Sequence, residues 1–303
     1  MKKKTLTVFT PAYNRAHTIG RTYESLCRQT CNDFEWLIVD DGSSDNTKEL
    51  VQKWIDENII SIRYIYQANQ GMHGAHNTAY KNIDTELNTC IDSDDYMPDD
   101  AVENIVTFWR ANGSDKYAGI LGLDRTIGGN LLGIGFPPDL KSTTLSGYYA
   151  RPGTWGDMKL VLRTEIVRKY PEYPVFPGEK YVSIGYLYQL IDQDYELLTM
   201  NKVLDIVDYQ LDGSSSMMYQ QYWKNPRGFA FIHNNDLKYV HSFKRRIQVA
   251  VLYISHCIRA KNWNMIQECN SPWLALFCSP LGVAFYLFTW YKVKRRSLVK
   301  TQR

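Results

Sequence analysis

Cysteine is sparse in this chain of 303 residues. Cys27, Cys31, Cys90, Cys257, Cys269 and Cys278 show neither metal-ligand spacing nor a disulfide framework. Several lie in apolar segments, which suits free buried thiols in a reducing compartment and argues against zinc. A secretory signal is lacking too: after Lys4 the apolar run is only Leu6–Phe9 before Pro11. The expectation is therefore a chain that starts and stays in the cytoplasm. No internal repeat and no low-complexity stretch interrupts it. Negative charge is missing from the two ends of the chain, which are purely basic. Lys2, Lys3 and Lys4, with Lys292, Lys294, Arg295, Arg296, Lys300 and Arg303, contribute nine positive charges to a net charge of +3. The remainder is acidic by about six charges, which speaks against a general nucleic-acid binder. Basic ends on an acidic body fit an anionic membrane surface.

What is present is ample for a core: 44% hydrophobic residues, with 22 Tyr and 8 Trp. Leu6–Thr10 reads as a strand ended by Pro11, and Ile19, Tyr23, Leu26 and Cys27 have helical spacing. Phe34–Val39 is an almost continuous apolar run, as a buried parallel strand requires. A helix with Leu50, Val51, Trp54 and Ile55 follows, then an alternating strand at Ile62, Tyr64 and Tyr66. A helix through Met72, Ala75, Ala79, Tyr80 and Ile83 leads to a strand ending at Asp92, and a helix from Ala101 to Trp109 closes the series. Strand and helix alternating about every 25 residues predict an α/β fold, a mostly parallel sheet with helices on both faces. Beyond Gly113 the rhythm breaks. Tyr117–Leu123 and Leu131–Phe136 read as strands, Met158–Leu162 as another, with a short helix at 164–169 and a Pro-rich loop through Pro171, Pro174 and Pro177. From Asp236 the chain reads as helical to its end.

The densest chemistry lies in Asp92-Ser93-Asp94-Asp95, three carboxylates in four residues at the end of an apolar strand. Such a cluster repels itself unless a cation or donor groups answer it, and oxygen ligands of this kind suit Mg²⁺ or Mn²⁺. A solvated acidic turn capping the following helix is the plainer alternative. A second acidic turn, Asp40-Asp41-Gly42-Ser43, also ends an apolar strand, and ligands in open α/β sheets collect at the carboxyl ends of strands.

Taken together, Thr10-Pro11-Ala12-Tyr13-Asn14, Val39-Asp40-Asp41-Gly42-Ser43-Ser44-Asp45, Asn69-Gln70-Gly71 with Ala75 and Asn77, and Asp92-Ser93-Asp94-Asp95 resemble, in order and spacing, the family 2 glycosyltransferases. These are inverting enzymes of the GT-A fold. The resemblance is close over residues 5–125 and looser to about 215. It implies a catalytic domain over 1–215, with a nucleotide-binding half at 5–125 and an acceptor-binding half at 126–215, followed by a helical region at 216–303. It also implies that Thr10, Pro11, Ala12, Tyr13 and Arg15 line the nucleotide, that Asp41 reads the base and that Asp40 supports its turn. Asp92 would meet the ribose or the metal, Ser93 would join the nucleotide site, and Asp94 with Asp92 would ligate the metal that bridges the diphosphate. Asp95 would cap or orient. Gly71 opens a helix whose free N–H groups suit phosphate, with Asn77 nearby. His73 and His76 read as polar core or surface groups rather than catalysts.

An inverting transfer needs a base for the acceptor hydroxyl. The resemblance places it at Glu179, in Gly178-Glu179-Lys180, with Asp157 second and Asp192 or Asp194 behind; a loop carboxylate paired with Lys180 is the plainer reading of Glu179. Relatives with this stretch often carry a further Glu where this chain has Ser183-Ile184-Gly185. Tyr148, Tyr149, Trp155 and Tyr186 are candidates for stacking on an acceptor sugar or for the core. Tyr209 with Asp212–Ser216 resembles a loop that closes the body over the diphosphate.

From Trp273 to Tyr291 the chain has no charge, and basic residues follow. The run is barely long enough to span a bilayer, and Pro280 interrupts it. The expectation over 273–296 is an interfacial anchor on the inner face of the cell membrane, with packing on the body or on a second subunit as the alternative. The expected partners are a nucleotide-sugar donor, UDP-linked, a surface-glycan or lipid-linked acceptor and an anionic membrane, without nucleic acid; a homo-oligomer stays open. Two other classes compete: a non-catalytic binding protein derived from a transferase, and a nucleotidyltransferase. The latter calls for a glycine-rich phosphate loop with a basic residue after the first strand, which this chain lacks.

Overall fold

The computed structural model describes residues 3–208 and 218–301; the Tyr209 and Asp212–Ser216 loop lies outside them. Four strands, β1 (Leu6–Ala12), β2 (Phe34–Asp40), β3 (Ile62–Tyr66) and β4 (Leu87–Cys90), alternate with helices α1 (Ile19–Cys27), α2 (Thr47–Glu57), α3 (Met72–Asn82) and α4 (Ala101–Asn112). After them come β5 (Tyr117–Thr126), β6 (Ser142–Thr143), α5 (Leu145–Tyr149), β7 (Met158–Arg163), α6 (Thr164–Val167), α7 (Gly185–Ile191) and β8 (Glu196–Val207). The last helices are α8 (Met218–Lys224), α9 (Pro226–Tyr239), α10 (Phe243–Arg259) and α11 (Pro272–Thr301).

All eight strands form one sheet in the order β3-β2-β1-β4-β7-β5-β8-β6. The first four are mutually parallel, because each returns through a helix. β7 runs antiparallel to both β4 and β5, and β5 pairs parallel with β8. One consequence positions everything else. The carboxyl ends of β1, β2 and β4, the start of β7 and the ends of β5 and β8 all meet along one edge. The core on one face is a stack of Tyr23, Trp36 and Trp54, with Tyr23 and Trp54 rings 4.3 Å apart. Such offset aromatic packing adds to what burial of their area provides.

Several elements differ from the sequence expectation, the short β6, α5 and α7 among them. Residues 131–136 form no strand beyond a single Arg125–Leu131 bridge, because Gly133 takes a positive φ of 102° that breaks an extended run. β8, the longest strand at 12 residues, has no counterpart in the sequence reading. Helix begins at Met218 rather than Asp236.

The chain divides into two compact units. The first comprises residues up to Glu172 and the described part of Leu187–Gln210; it holds the whole sheet. The second joins Tyr173–Tyr186 to the described part of Leu211–Arg303. Its core is made by Leu237, Val249, Ala250, Tyr253, Ile254, Cys257, Ala275 and Cys278 of α9, α10 and α11, with Cys269 from the intervening loop. The thiols are all free, as expected.

Candidate active site

Two loops at the carboxyl edge are zipped together. Asn14, held at φ 55°, receives the Ser44 N–H on its Oδ1 at 2.8 Å and donates its own N–H to Ser43 Oγ at 2.8 Å. The Arg15 N–H reaches Thr47 Oγ1 at 3.1 Å, and the Ala16 N–H reaches Asp45 Oδ2 at 3.1 Å. Tyr13 is left half exposed at the tip of this assembly. Asp40, fully buried, accepts the Ser43 N–H at 2.7 Å and the Tyr64 hydroxyl at 2.6 Å, which holds the turn.

Asp41 has a more particular job. Its Oδ1 accepts from Gln67 Nε2 at 2.7 Å and the Gln70 N–H at 2.8 Å, and its Oδ2 accepts the Gly71 N–H at 2.7 Å. The carboxylate thus caps the start of α3, where negative charge favours the helix dipole. It takes the N–H groups of Gln70 and Gly71 that the sequence offered to phosphate. Asn77, on the same helix, is buried, as are His73 and His76, so the two histidines are core groups.

Asp92, Ser93, Asp94 and Asp95 follow β4. Carboxylate oxygens of Asp92, Asp94 and Asp95 lie within 4.8 Å of one another. Burial raises the carboxyls of Asp92 and Asp94 above the usual range; the charge of Asp92 adds to the rise at Asp94, while Arg15 opposes it at both. Asp95 is pushed up to about 8 by burial, then by Asp205 and Asp92. Asp95 also accepts the Asp208 N–H on Oδ1 at 3.0 Å, so it orients the chain more than it faces outward. Hard oxygen donors, crowded and partly desolvated, are the chemistry that a small divalent cation relieves. The residues fit Mg²⁺ or Mn²⁺.

The sheet register adds three residues that sequence reasoning missed. Asp124 on β5 pairs in register with Asp205 on β8, and Leu123 pairs with Met158 at the start of β7. Lys159, next along β7, forms a buried ion pair with Asp205 and donates to the Cys90 carbonyl at 2.9 Å. It therefore sits behind the strand end that carries Asp92. Burial and neighbouring carboxylates raise Asp124 and Asp205 as well, with Lys159 opposing the rise at both. The available signal was a charge inside or at the end of an apolar run, in Met158-Lys159-Leu160, Leu204-Asp205-Ile206 and Leu123-Asp124, the last followed directly by Arg125. Such charges are buried only with partners, but sequence alone does not name the partner.

Residues 7–126 match the family model of glycosyl transferase family 2. An uncharacterised glycosyltransferase of Nostoc sp. is 30% identical over 179 residues, which cover 57% of this chain and 54% of that protein. The chain thus spans about half the length of this relative. Two solved structures are similar in fold. TarS 1–349 of S. aureus, in complex with UDP-GlcNAc, has a TM-score of 0.61 at 17% identity over 96% of this chain and 92% of that one. The mannosyltransferase PcManGT of Pyrobaculum calidifontis, in complex with GDP-Man and Mn²⁺, has a TM-score of 0.55 at 16% identity over 99% and 81%. The four strand-end motifs from Thr10 to Asp95 lie inside the matched segment.

The base candidates lie outside that segment and differ in their surroundings. Asp157 is exposed, immediately before β7, and its charge acts on Asp92 and Asp124. Glu179 is buried. Its Oε1 accepts the Arg227 N–H at 3.1 Å and Nε at 2.9 Å, and its Oε2 accepts the Gly228 N–H at 2.9 Å, so it caps α9. Its ion-pair partner is Arg227, not Lys180. Asp192 likewise binds the N–H groups of Leu145 and Ser146 at the start of α5, and Asp194 accepts from the Tyr170 hydroxyl. Tyr148 is a core residue whose hydroxyl donates to the Ile134 carbonyl, whereas Tyr149 and Trp155 remain exposed.

Proposed function

We propose that the chain is a metal-dependent, inverting glycosyltransferase of the GT-A type. It would move a sugar from a UDP-linked donor to a surface-polysaccharide or lipid-linked acceptor on the cytoplasmic face of a membrane. The observation that carries this reading is the Asp92–Asp94–Asp95 cluster at the carboxyl edge of a parallel half-sheet, beside the zipped 12–16 and 41–47 loops. Nucleotide and metal sites collect at such an edge. The Mn²⁺ and GDP-Man in PcManGT and the UDP-GlcNAc in TarS support the donor class.

In this reading Pro11, Ala12, Tyr13 and Arg15 flank the nucleoside, Asp41 meets the base edge and Ser93 faces the ribose. Asp92 and Asp94 would hold Mn²⁺ or Mg²⁺, which when bound neutralises the departing diphosphate. Asp157 is the group whose surroundings suit a base. Its carboxylate takes the proton of the acceptor hydroxyl as that oxygen bonds to the sugar's anomeric carbon and the bond to the diphosphate oxygen breaks. Glu179 is spent on its helix.

Calorimetry with UDP and Mn²⁺ tests the reading. Asp94→Asn should bind UDP no better with Mn²⁺ than without it, while the thermal transition stays in place. Unchanged Mn²⁺-dependent affinity in that variant overturns the metal assignment. No UDP or nucleotide-sugar binding by the natural chain revives the non-catalytic alternative.

A further inference from the structure

The last helix is built with unlike faces, although all are apolar. Along one stripe of α11, Ala275, Cys278, Gly282 and Thr289 are buried. A Cβ at Gly282 would come within 2.4 Å of Ile254 Cγ2, so small residues let the backbone lie close against α10. A second stripe is partly packed, with Tyr286 stacked on Trp223 of α8, and a third face of the described part of the helix is bare. Trp273 is 82% exposed and Phe277 75%, and Leu276, Leu281, Leu287 and Trp290 are exposed with them. Within Pro272–Lys294 the most apolar 18-residue window has a mean hydropathy of 1.5, with 22% of it buried. An unbroken apolar face about 27 Å long, from Trp273 to Trp290, is far beyond scattered surface hydrophobics and marks an interaction surface.

Charge identifies the partner. The Arg246 guanidinium donates to Ser271 Oγ at 3.0 Å, so the first turn of α10, with exposed Lys244 and Arg245, abuts the start of α11. At the far end Lys292 and Lys294 lie over the rings of Phe288 and Trp290, at 5.5 and 4.9 Å. Basic charge therefore flanks the apolar face at both ends. Residues 218–303 contain 14 Lys and Arg against Asp236 and Glu268 alone. Two copies meeting on such a face would bring like charges together, whereas an anionic bilayer offers both an apolar layer and opposite charge. Crossing the bilayer is disfavoured by the packed stripe. It would carry α10, with Lys244, Arg245, Arg246 and Arg259, into hydrocarbon.

We propose that the bare face of α11 lies flat in the surface of an anionic bilayer, while its opposite stripe stays packed on α10. This deepens the membrane-side reading above and rests on it, but not on the chemistry at the sheet edge. A flat helix with Trp273 and Trp290 at its two ends places both rings at the headgroup level.

The test uses the full chain with vesicles of phosphatidylcholine alone or with phosphatidylglycerol. Sedimentation should show binding to the anionic vesicles, at least tenfold weaker binding to neutral ones, and a loss of tenfold or more in Phe277→Glu and in Leu287→Glu. Nitroxide labels at Leu276→Cys, Leu281→Cys and Leu287→Cys, in a background with Cys27, Cys31 and Cys90 changed to serine, should report one common shallow depth. A label at 281 much deeper than those at 276 and 287 means that the helix crosses, and overturns the flat seat. So does a chain that ignores anionic vesicles, or one that sediments as a dimer dissociated by Phe277→Glu. UDP binding measured on the same samples separates the two readings: vesicle binding without UDP binding fails the catalytic proposal alone, and the reverse fails this one alone.

Discussion

At the scale of single residues, two carboxylates that look equivalent in sequence have opposite environments. Glu179 accepts three hydrogen bonds from Arg227 and Gly228, and Asp157 stands exposed beside the acidic edge. Asp157→Asn should lower kcat about 10²-fold or more with UDP affinity nearly unchanged, the usual scale for lost general-base help. Glu179→Gln should act on stability instead, by about 1–2 kcal/mol, because it removes charge from a helix start and leaves Arg227 without its anion. Urea denaturation and initial rates on both variants decide it. If Glu179→Gln abolishes turnover at unchanged stability, the two roles are reversed. Local motif spacing singled out Asp92 and Asp94 because their neighbours in sequence are their neighbours in space. It gave no such access to Lys159, whose partners Asp205 and Cys90 lie 46 and 69 residues away.

At the scale of elements, the donor edge depends on backbone segments meeting at close range. Gly42 has φ +86°, and a Cβ there would lie 2.9 Å from the Asn69 N. Gly42→Ala should therefore both strain the turn and push the 67–71 segment, held by Asp41, away from its place. The expected result is a loss of about 1–3 kcal/mol in stability together with weaker UDP binding. A variant as stable as the natural chain, with full UDP affinity, would show that the contact carries no such constraint. The first four strands and helices were legible because continuous apolar runs and 3.6-residue spacing speak for themselves in a parallel α/β unit. β8 was not: Asn201 and Lys202 interrupt its apolar pattern, and the strand is stabilised by pairing with β5 and β6 rather than by its own alternation. Residues 131–136 have the composition of a strand but lack a neighbour to pair with beyond one bridge.

At the scale of the whole molecule, buried ionisable groups tie stability to pH. Asp95, raised to about 8 by burial and its neighbouring carboxylates, keeps a proton in the fold that the unfolded chain releases near pH ~4. Stability from such groups, with Asp124 and Asp205 shifted the same way, declines as pH rises until the folded carboxyl has itself ionised. His76 and His256, lowered by burial to about 4 and about 3, act in reverse. Below pH ~6.5 the unfolded chain binds protons that the fold refuses, so stability falls as pH falls. Above pH ~6.5 the histidines no longer oppose the carboxyls, so in metal-free buffer the melting temperature should decline from pH ~6.5 to ~8.5, and saturating Mn²⁺ with UDP should reduce that decline. A flat profile from pH ~6.5 to ~8.5 counts against the buried carboxyl cluster. The sequence by itself determined the alternating α/β unit, the acidic strand ends and the uncharged C-terminal run, because each is written in residues close together along the chain. Only the tertiary structure decided that Asp124, Asp157, Lys159 and Asp205 join the same edge as Asp92. That edge is assembled by antiparallel β7 inserted between β4 and β5, a pairing across tens of residues that no local pattern encodes. It also decided which face of α11 is packed, since a helix that is apolar all round carries no internal record of where its neighbour lies.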